Sequence, residues 1–241
     1  FLVQLVNITE QIKAEHKLQQ QLEIENMISQ ISSKFIALPN SEIDAGIHQS
    51  LRQLGRYFDV DRAYIYKFIE KPNLLTMSHE WHSGQITPLI QEHSEINIKE
   101  FPWLMEKMNQ SEPIIIQDVG NLSDDISIHT KKSLLAAGIQ SILFIPLIST
   151  KNEIIGHFGF ETLYKVNEWS KDIIGLLEFV GKIYASALEL KQIQQKLREN
   201  LDLEDIIARI STEFINMPLS SIDESIYNAL KLIGKYINAD R

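Results

Sequence analysis

The chain has 241 residues, 44% of them hydrophobic and 23% charged, which is enough for one well-buried domain with flanking pieces. Its formal net charge of −9 argues against a nucleic-acid partner, because phosphate binding needs clustered Lys and Arg. The absence of cysteine excludes disulfides, thiolate metal sites, cysteine nucleophiles and thioether-linked chromophores, and it fits the reducing cytoplasm, where we expect the protein.

Two helices are predicted before Asp61. Ile28, Ile31 and Phe35 have the spacing of one helical face, and Pro39 interrupts the run before a second helical segment. Five short runs of apolar and β-favouring residues follow, each bounded by Gly, Pro, Asn or Lys. They read RAYIYKFI, LLTMSHEW, PIIIQDV, SILFIPLI and EIIGHFGFE, and they predict at least five strands.

Further elements lie between these strands. Helices are predicted at about 101–109 and 125–137, the second capped by Asp124-Asp125 and closed by Gly138. A hairpin turn is predicted near Lys151-Asn152. The order of elements predicts an α+β fold in which one sheet has helices entering and leaving on the same side.

No segment has the length of a membrane span. The longest uninterrupted apolar run, Ile142–Ile148, is far shorter than the ~20 residues that a spanning helix needs, and no signal peptide opens the chain. We therefore expect no direct membrane insertion. The chain starts at Phe1 and stops at Arg241 within a pattern, so we expect it to be an excerpt of a longer protein.

A long helix is predicted from about Ser170. There is no Gly or Pro between Lys182 and Met217, so one helix of some 45 residues, or ~65 Å, can run from about Ser170 through this stretch. A helix of this length needs a partner, and its apolar or small residues alternate four and three apart, as in a coiled coil. We therefore predict a parallel homodimer. The seam residues are Leu176, Val180, Ile183, Ala187, Leu190, Gln194, Leu197 and Leu201.

These regularly spaced apolar residues form a stripe along the helix, and its spacing then changes to two residues at one point, here called the slip. After Leu201 it resumes at Leu203, and the first helix has the same slip between Leu22 and Ile24. Slips in heptad phase locally unwind or overwind a coiled coil. Two interpretations follow: the slip is a switch between two helix registers of similar energy, or the stripe turns from the dimer seam onto the sheet of the domain.

The second slip belongs to an internal repeat. Residues 24–62 and 203–241 align with a constant offset of 179, and 16 of the 39 positions are identical. The matches include Phe35 with Phe214 and Gly55 with Gly234. One complete domain followed by the opening helices of a second is therefore predicted, with a domain period of about 179 residues.

The segments VDRAYIYKF, SHEW, FPWLMEKM, GIQSILFIPLI, IIGHFGFE and WSKDIIGLLEFVGKIYASALE together resemble a GAF domain of bacterial multidomain sensor proteins. The resemblance implies a central antiparallel sheet flanked by helices, with long signalling helices at both ends. LVQLVNITEQIKAEHKLQQQL is similar to the last strand and exit helix of a PAS domain, with Asn7 where Asp is usual. The implied organisation is a PAS end and linker (1–23), a GAF domain (24–190), a coiled-coil linker (191–202) and the first helices of a second GAF domain (203–241).

His79 lies in a stretch, TMSHEWHSGQITPLI, that echoes the phosphoacceptor motif of histidine kinases. In that motif Pro follows the His after four residues, whereas here eight residues separate His79 from Pro88. Strand-like alternation and Gly84 also argue against a helix, so we predict that His79 is not phosphorylated. On a strand, Glu80 and His82 face away from His79, so no metal triad is predicted either.

No catalytic motif occurs, so we predict that this part of the chain is not an enzyme. His157 in GHFG is expected to be a strand residue satisfied by a local hydrogen bond. The Asn-Lys and Phe-x-x-x-Asp-Glu signature of cyclic-nucleotide-binding GAF domains is missing, and covalent bilin attachment is not expected without cysteine. The cofactor, if there is one, stays unknown.

Two functions from different classes stay open. One is a sensory GAF module that binds a small molecule and relays its state through dimeric helices, in a sensor histidine kinase or, alternatively, a cyclic-di-nucleotide cyclase or phosphodiesterase. The other is a structural relay without a ligand. We expect Tyr66 and Trp81 to share one cavity. The candidate ligand-binding residues are Tyr64, Tyr66, Trp81, His82, Trp103, Phe160 and Glu161.

Overall fold

The computed structural model describes residues 2–68, 74–84, 86–90, 95–122, 128–216, 218 and 222–236. They belong to two units, Phe1–Glu189 and Leu190–Arg241, and each is described by itself. The helices and strands are α1 (Leu2–Ala37), α2 (Ile43–Tyr57), β1 (Arg62–Phe68), β2 (Leu74–His82), β3 (Glu95–Asn97), α3 (Pro102–Asn109), β4 (Ile114–Ile116), α4 (Ile128–Ala136), β5 (Ser141–Ile148), β6 (Ile154–Thr162), α5 (Lys171–Asn216) and α6 (Ile222–Tyr236).

The six strands form one sheet in the order β3-β2-β1-β6-β5-β4, and every neighbouring pair is antiparallel. The predicted α+β class and antiparallel sheet are therefore confirmed. Five of the strands coincide with the predicted runs. The sixth, β3, has only three residues, too few to produce a recognisable alternation of apolar and polar side chains.

One face of the sheet, here called the helix face, packs against α1, α2 and α5. Helix α2 is amphipathic, and its Ile47, Leu51 and Leu54 are fully buried at helical spacing. Gly55 lets the ring of Trp81 approach α2, because a Cβ at that position would lie 2.1 Å from the ring. The helices at both ends of the unit therefore cover the same side of the sheet, as predicted.

The opposite face, here called the α3 face, is covered by α3 and α4. Helix α4 ends in a Schellman motif. The N–H of Gly138 donates to the carbonyl of Leu135, and the N–H of Ile139 donates to the carbonyl of Leu134, both at 3.0 Å. Gly138 has φ of 74°, so its predicted role as the C′ residue is confirmed. The predicted cap at Asp124-Asp125 lies outside the described residues.

Helix α1 corrects the interpretation of the first residues. The segment predicted to be the last strand of a PAS domain is helical from Leu2 onward. A strand needs a neighbouring strand for its backbone hydrogen bonds, whereas a helix satisfies them internally. The stretch has no Gly or Pro to interrupt the helix, so it continues into Ala37.

The slip in α1 coincides with a change of environment. Leu18 and Leu22 are 58% and 47% exposed, whereas Ile24 and Ile28 are buried in the core on the helix face. Two residues correspond to about 200° of helical rotation, so a stripe that slips by two residues changes to the opposite side of the helix. In the first unit, the stripe therefore turns onto the sheet of the domain.

Helix α5 has 46 residues, which confirms the predicted long helix. Its start is capped by Ser170, whose Oγ accepts from the N–H of Ile173 at 3.3 Å. The first half of the predicted dimer seam is used differently, because Val180 and Ala187 are buried in the core of the first unit. The exposed part of the seam is Leu190, Leu197 and Leu201.

The second unit repeats two features of the first. Helix α6 occupies Ile222–Tyr236, which is α2, Ile43–Tyr57, displaced by 179 residues (43 + 179 = 222 and 57 + 179 = 236). Each of these helices ends in a tyrosine that contacts the preceding helix. None of the described helices combines the length and apolar character needed to cross a membrane.

Candidate functional site

A buried ionic cluster of Arg62, Tyr64, Glu80 and Glu161 lies at the start of β1 on the α3 face. Arg62 Nη1 donates to Glu161 Oε2 at 2.7 Å, and its Nε lies 3.0 Å from Glu80 Oε1. Tyr64 OH donates to the other oxygen of Glu161 at 2.8 Å. Cross-strand pairing places these groups together, because Arg62 is opposite Glu161 on β6 and Tyr64 is opposite Glu80 on β2.

The cluster also holds a loop against the sheet. Both oxygens of Glu80 accept backbone N–H groups, from Leu89 at 3.0 Å and from Ile90 at 2.9 Å. Arg62 Nη2 donates to the carbonyl of Thr87 at 3.3 Å. The side chains of Leu89 and Ile90 pack against the apolar cluster of the α3 face, so the loop closes this end of the face.

Burial has the largest effect on the pKa values of Glu161 and Tyr64. It raises the pKa of Glu161, and the Arg62 guanidinium and the Tyr64 hydroxyl oppose that rise only in part. Burial also raises the pKa of Tyr64 well above its ordinary value, and the neighbouring Glu161 carboxylate adds to the effect. The two carboxylates share one guanidinium, so the cluster depends on Arg62 for its charge balance.

His157 is the second notable group of the α3 face. It lies in β6, is 4% exposed, and its Nδ1 has no hydrogen-bond partner among the described residues. Its ring stacks on Tyr66 with centroids 5.5 Å apart and is tilted against Phe144 at 4.7 Å. The expected local hydrogen bond is therefore not found.

A small cavity lies beside His157. Its wall is mostly apolar and includes residues of α3, β4, β5 and β6, with one carboxylate. It is lined by Met108, Glu112, Ile114, Phe144, Pro146, Ile154, Gly156 and His157. β4 pairs with β5 only as far as Phe144, so beyond that residue β5 has no neighbour on this side among the described residues. Pro146, which has no N–H to donate, lies in this unpaired stretch.

Burial lowers the pKa of His157 from 6.5 to about 3, so the ring is neutral at pH 7. Because the unfolded chain binds the proton more readily, the stability contributed by the buried neutral ring is complete above pH 6.5 and is lost as the pH falls towards 3. We expect wild-type protein to lose about 2 kcal/mol from this group between pH 7 and pH 5. A His157→Phe variant should lack that loss.

Urea unfolding at pH 7 and pH 5 measures this difference. His16→Phe, at an exposed position of α1, is the matched control and should keep the pH dependence of the wild type. Equal pH dependence in the wild type and the His157→Phe variant would contradict the assignment of His157 as a buried neutral ring.

The structure separates the predicted site residues between the two faces. Tyr64, Tyr66, Trp103 and Glu161 are on the α3 face. His82 follows Glu80 by two residues and is therefore on the same side of β2, with Nδ1 3.1 Å from the Ser83 carbonyl oxygen.

Two predicted site residues are on the other face. Trp81 and Phe160 pack in the core of the helix face, so the prediction that Trp81 shares a cavity with Tyr66 is wrong. Phe160 adjoins Glu161 in one strand, and adjacent strand residues point to opposite faces. Trp81 pairs with Ala63 of β1, which is also in the core of the helix face, so the register of β1 and β2 places it there.

Three residues of the site were not selected from the sequence. Arg62 and Glu80 become partners only through the register of β1 and β2, which local patterns do not reveal. The sequence predicts that His157 is a strand residue, but the missing hydrogen bond at its Nδ1 depends on contacts with residues distant in sequence. An opposite-charge pair at facing strand ends, Arg62 and Glu161, is the signal that could have identified the ionic cluster.

His79 is in β2, in agreement with the predicted strand, and is 3% exposed. Its Nε2 lies 3.1 Å from Asp44 Oδ1, and its Nδ1 lies 2.9 Å from Ser78 Oγ. Burial lowers its pKa to about 4, although Asp44 opposes the shift. The absence of phosphorylation stays a prediction. Within the described ranges, no three His, Asp or Glu side chains converge on a possible metal position.

Comparison with solved structures gives relatives of the same fold. The phycocyanobilin-bound GAF domain of a cyanobacterial phytochrome is similar with a TM-score of 0.58 and 18% identity, covering 71% of this chain and 96% of that one. A domain from Sinorhizobium meliloti 1021, described as part of a two-component sensor histidine kinase protein, has a TM-score of 0.50 and 19% identity, covering 64% and 97%.

The photosensory core module of the Stigmatella aurantiaca phytochrome has a TM-score of 0.67 and 15% identity. The match covers 90% of this chain but only 46% of the phytochrome chain. At these identities the likeness concerns the fold. Among curated proteins, no sequence matches the chain.

The sequence profile of one family matches residues 42–188, which is more than half of the chain. This range begins just before α2 and ends within the part of α5 that packs on the sheet, so it contains both faces described above. The chain belongs to the GAF domain family.

Proposed function

We propose that the first unit is a sensory module that binds a small molecule on the α3 face beside His157. The observation that carries this proposal is the buried, neutral imidazole whose Nδ1 faces no polar partner in the described part of the chain. An unpaired buried polar atom is costly, and a ligand that supplies the missing hydrogen bond recovers that cost on binding. The mostly apolar cavity beside it has a volume of only about 10 Å³, room for about one water molecule, so a larger ligand has to widen it by moving the surrounding side chains.

Strand β6 connects this site with α5. His157 faces the cavity, and its neighbour Phe158 points to the helix face, where its ring meets that of Tyr184 at 5.3 Å. Tyr184 is fully buried in α5 and donates to Ser50 Oγ of α2 at 2.8 Å. A displacement of β6 by a ligand therefore acts directly on side chains that fix α5 in the core.

The ligand is proposed to be small and held without a covalent bond. There is no cysteine for a thioether, so the attachment chemistry of a covalent bilin is missing. The large side chains of Tyr64, Tyr66 and Phe144 and the Arg62 cluster occupy the rest of the α3 face. A chromophore the size of a bilin would have to displace them.

A ligand-free structural relay is the second candidate function. It is favoured by this same filling of the α3 face and by the hydrogen bonds through which Arg62 and Glu80 close the loop at 87–90. In that case the module holds its neighbours in position and the cavity beside His157 contains only water. In neither case do we assign a catalytic role to the described residues.

We further propose that the second unit is the beginning of another GAF domain. Its residues Ile226, Leu230 and Ile233 are 42%, 64% and 43% exposed. With the offset of 179 they correspond to Ile47, Leu51 and Leu54, which are completely buried against the sheet of the first unit. An apolar helix face of this kind is expected to be covered by a sheet of its own.

The modules are proposed to act as a dimer in a larger signalling protein. Leu190, Leu197 and Leu201 remain exposed on α5 at coiled-coil spacing, and a second copy of the same helix matches that stripe. We place this protein in the cytoplasm, with a PAS-like domain upstream. A histidine kinase is the proposed output, with a cyclic-di-nucleotide cyclase or phosphodiesterase as the alternative.

The ligand proposal is tested by mass spectrometry of small molecules released from the purified protein, followed by thermal shifts against a metabolite set. We expect a compound that co-purifies with the wild type, raises its melting temperature and is absent from the His157→Phe variant. Protein that releases no compound and shows no thermal shift in the set would favour the structural relay instead.

A further inference from the structure

The same tyrosine hydrogen bond is built once in each unit. Tyr57, the last residue of α2, donates from its hydroxyl to the backbone carbonyl of Gln20 in α1 at 2.9 Å. Tyr236, the last residue of α6, donates to the carbonyl of Glu199 in α5, also at 2.9 Å. Donor and acceptor are 37 residues apart in both units, and the two bonds are related by the repeat offset of 179.

Both acceptor carbonyls lie at the slip in the apolar stripe. Gln20 comes two residues before the exposed Leu22 and four before the buried Ile24. Helical geometry places residues four apart on one side, so Gln20 lies on the side of the helix that turns to the core. Glu199 has the same spacing from Leu201 and Leu203 in the second unit, where both leucines are exposed.

The bond is sensitive to the phase of the incoming helix. A helix carbonyl accepts the N–H four residues later and has a second lone pair, which the tyrosine hydroxyl uses. Rotating an α-helix by one residue, 100° on a backbone radius of ~2.3 Å, moves a backbone atom by roughly 3.5 Å. This displacement exceeds the range of an O–H···O hydrogen bond, so a rotation of this size breaks the bond to the carbonyl of Gln20 or Glu199.

We propose that Tyr57 and Tyr236 are register clamps, each holding one rotational phase of the helix that enters its unit. The stripe residues on either side of Gln20, Leu18 and Leu22, do not reach the core, so the clamp is the contact of α1 that lies farthest from the core residues Ile24 and Ile28. The role of the clamps in signalling rests on the relay proposed above. Their action on the helices does not require a ligand.

Hydrogen–deuterium exchange of the full chain tests the clamps. One net hydrogen bond corresponds to roughly a fivefold change in an opening equilibrium. We therefore expect roughly fivefold faster exchange at 12–23 in Tyr57→Phe and at 190–202 in Tyr236→Phe, each confined to its own unit. The matched control is Tyr227→Phe, also on α6 but 66% exposed, which should leave both segments unchanged. Unchanged hydrogen exchange in β5 and β6 would show that the fold is intact.

A second measurement covers the case in which α1 exchanges too fast to resolve. Spin labels on Gln11→Cys and Gln53→Cys, in this cysteine-free chain, report the position of α1 relative to α2. Adding Tyr57→Phe should broaden their distance distribution. Equal exchange and equal distance distributions with and without Tyr57 would overturn the proposal. A result against the relay alone would be distinguishable from this outcome. The clamp variants would still show faster hydrogen exchange, whereas replacements of His157 would leave exchange in α5 unchanged.

Discussion

Replacing Arg62 by methionine is expected to lower the free energy of unfolding by about 3–5 kcal/mol, because it leaves buried carboxylates without their cation. Arg62 and Glu80 side chains are only 6% and 2% exposed, so water cannot compensate the lost charge. Glu161 is equally enclosed and keeps only the Tyr64 hydroxyl as a side-chain partner among the described residues. Urea unfolding at pH 7 measures the loss.

A second replacement separates charge from packing. Adding Glu161→Gln to Arg62→Met removes one of the two carboxylates and keeps an oxygen that accepts from Tyr64, so part of the lost stability should return. Arg56→Met, at an exposed position of α2, is the control and should change stability by no more than about 0.5 kcal/mol. A loss below about 1 kcal/mol for Arg62→Met would contradict a buried cluster that depends on one guanidinium.

The exposed leucines of α5 should be needed for dimer formation. Leu197 is 57% exposed, and burying it against a second copy is worth about 1.5–3 kcal/mol per chain. A Leu197→Gln replacement alters both chains, so the dimer should weaken by at least about 100-fold in Kd. Sedimentation equilibrium at micromolar concentration measures the change.

Two further variants locate the interface. Leu135→Gln changes a leucine of α4 that is 44% exposed and lies outside the seam, so it should leave the dimer intact. Loss of the dimer in Leu230→Gln rather than in Leu197→Gln would place the interface on α6. A wild-type protein that is monomeric at these concentrations would refute dimerisation through α5.

The local periodicity of apolar residues was sufficient to predict much of the fold. SILFIPLI predicted β5 at the residues where it occurs, and the absence of Gly and Pro between Lys182 and Met217 predicted that α5 continues through this stretch. These features depend on neighbouring residues alone. The seam of α5 shows the limit of the same reasoning, because apolar spacing does not distinguish a helix that packs on its own sheet from one that packs on a second copy.

The candidate site could be predicted only in part. Tyr64, Tyr66 and Glu161 were selected correctly as residues of one face, because alternation along a strand is local. The same rule excludes Phe160 from this face, because it is adjacent to Glu161 in β6 and adjacent strand residues point to opposite faces. Trp81 could not be excluded in this way, because its face depends on the register that pairs it with Ala63 of β1, and register is set by the whole sheet.

The central claim is that the cavity beside His157 is coupled to α5, and hydrogen exchange along α5 in a His157→Phe variant tests it most directly. Phenylalanine is larger than histidine and fills the adjoining cavity as a ligand would, so we expect at least a twofold change in exchange at 190–202, beyond the part of α5 that packs on the sheet. Val119→Ala, a buried position on the same face but outside the cavity beside His157, controls for general destabilisation. Exchange at 190–202 that stays at the wild-type rate, or that changes equally in Val119→Ala, would contradict the coupling.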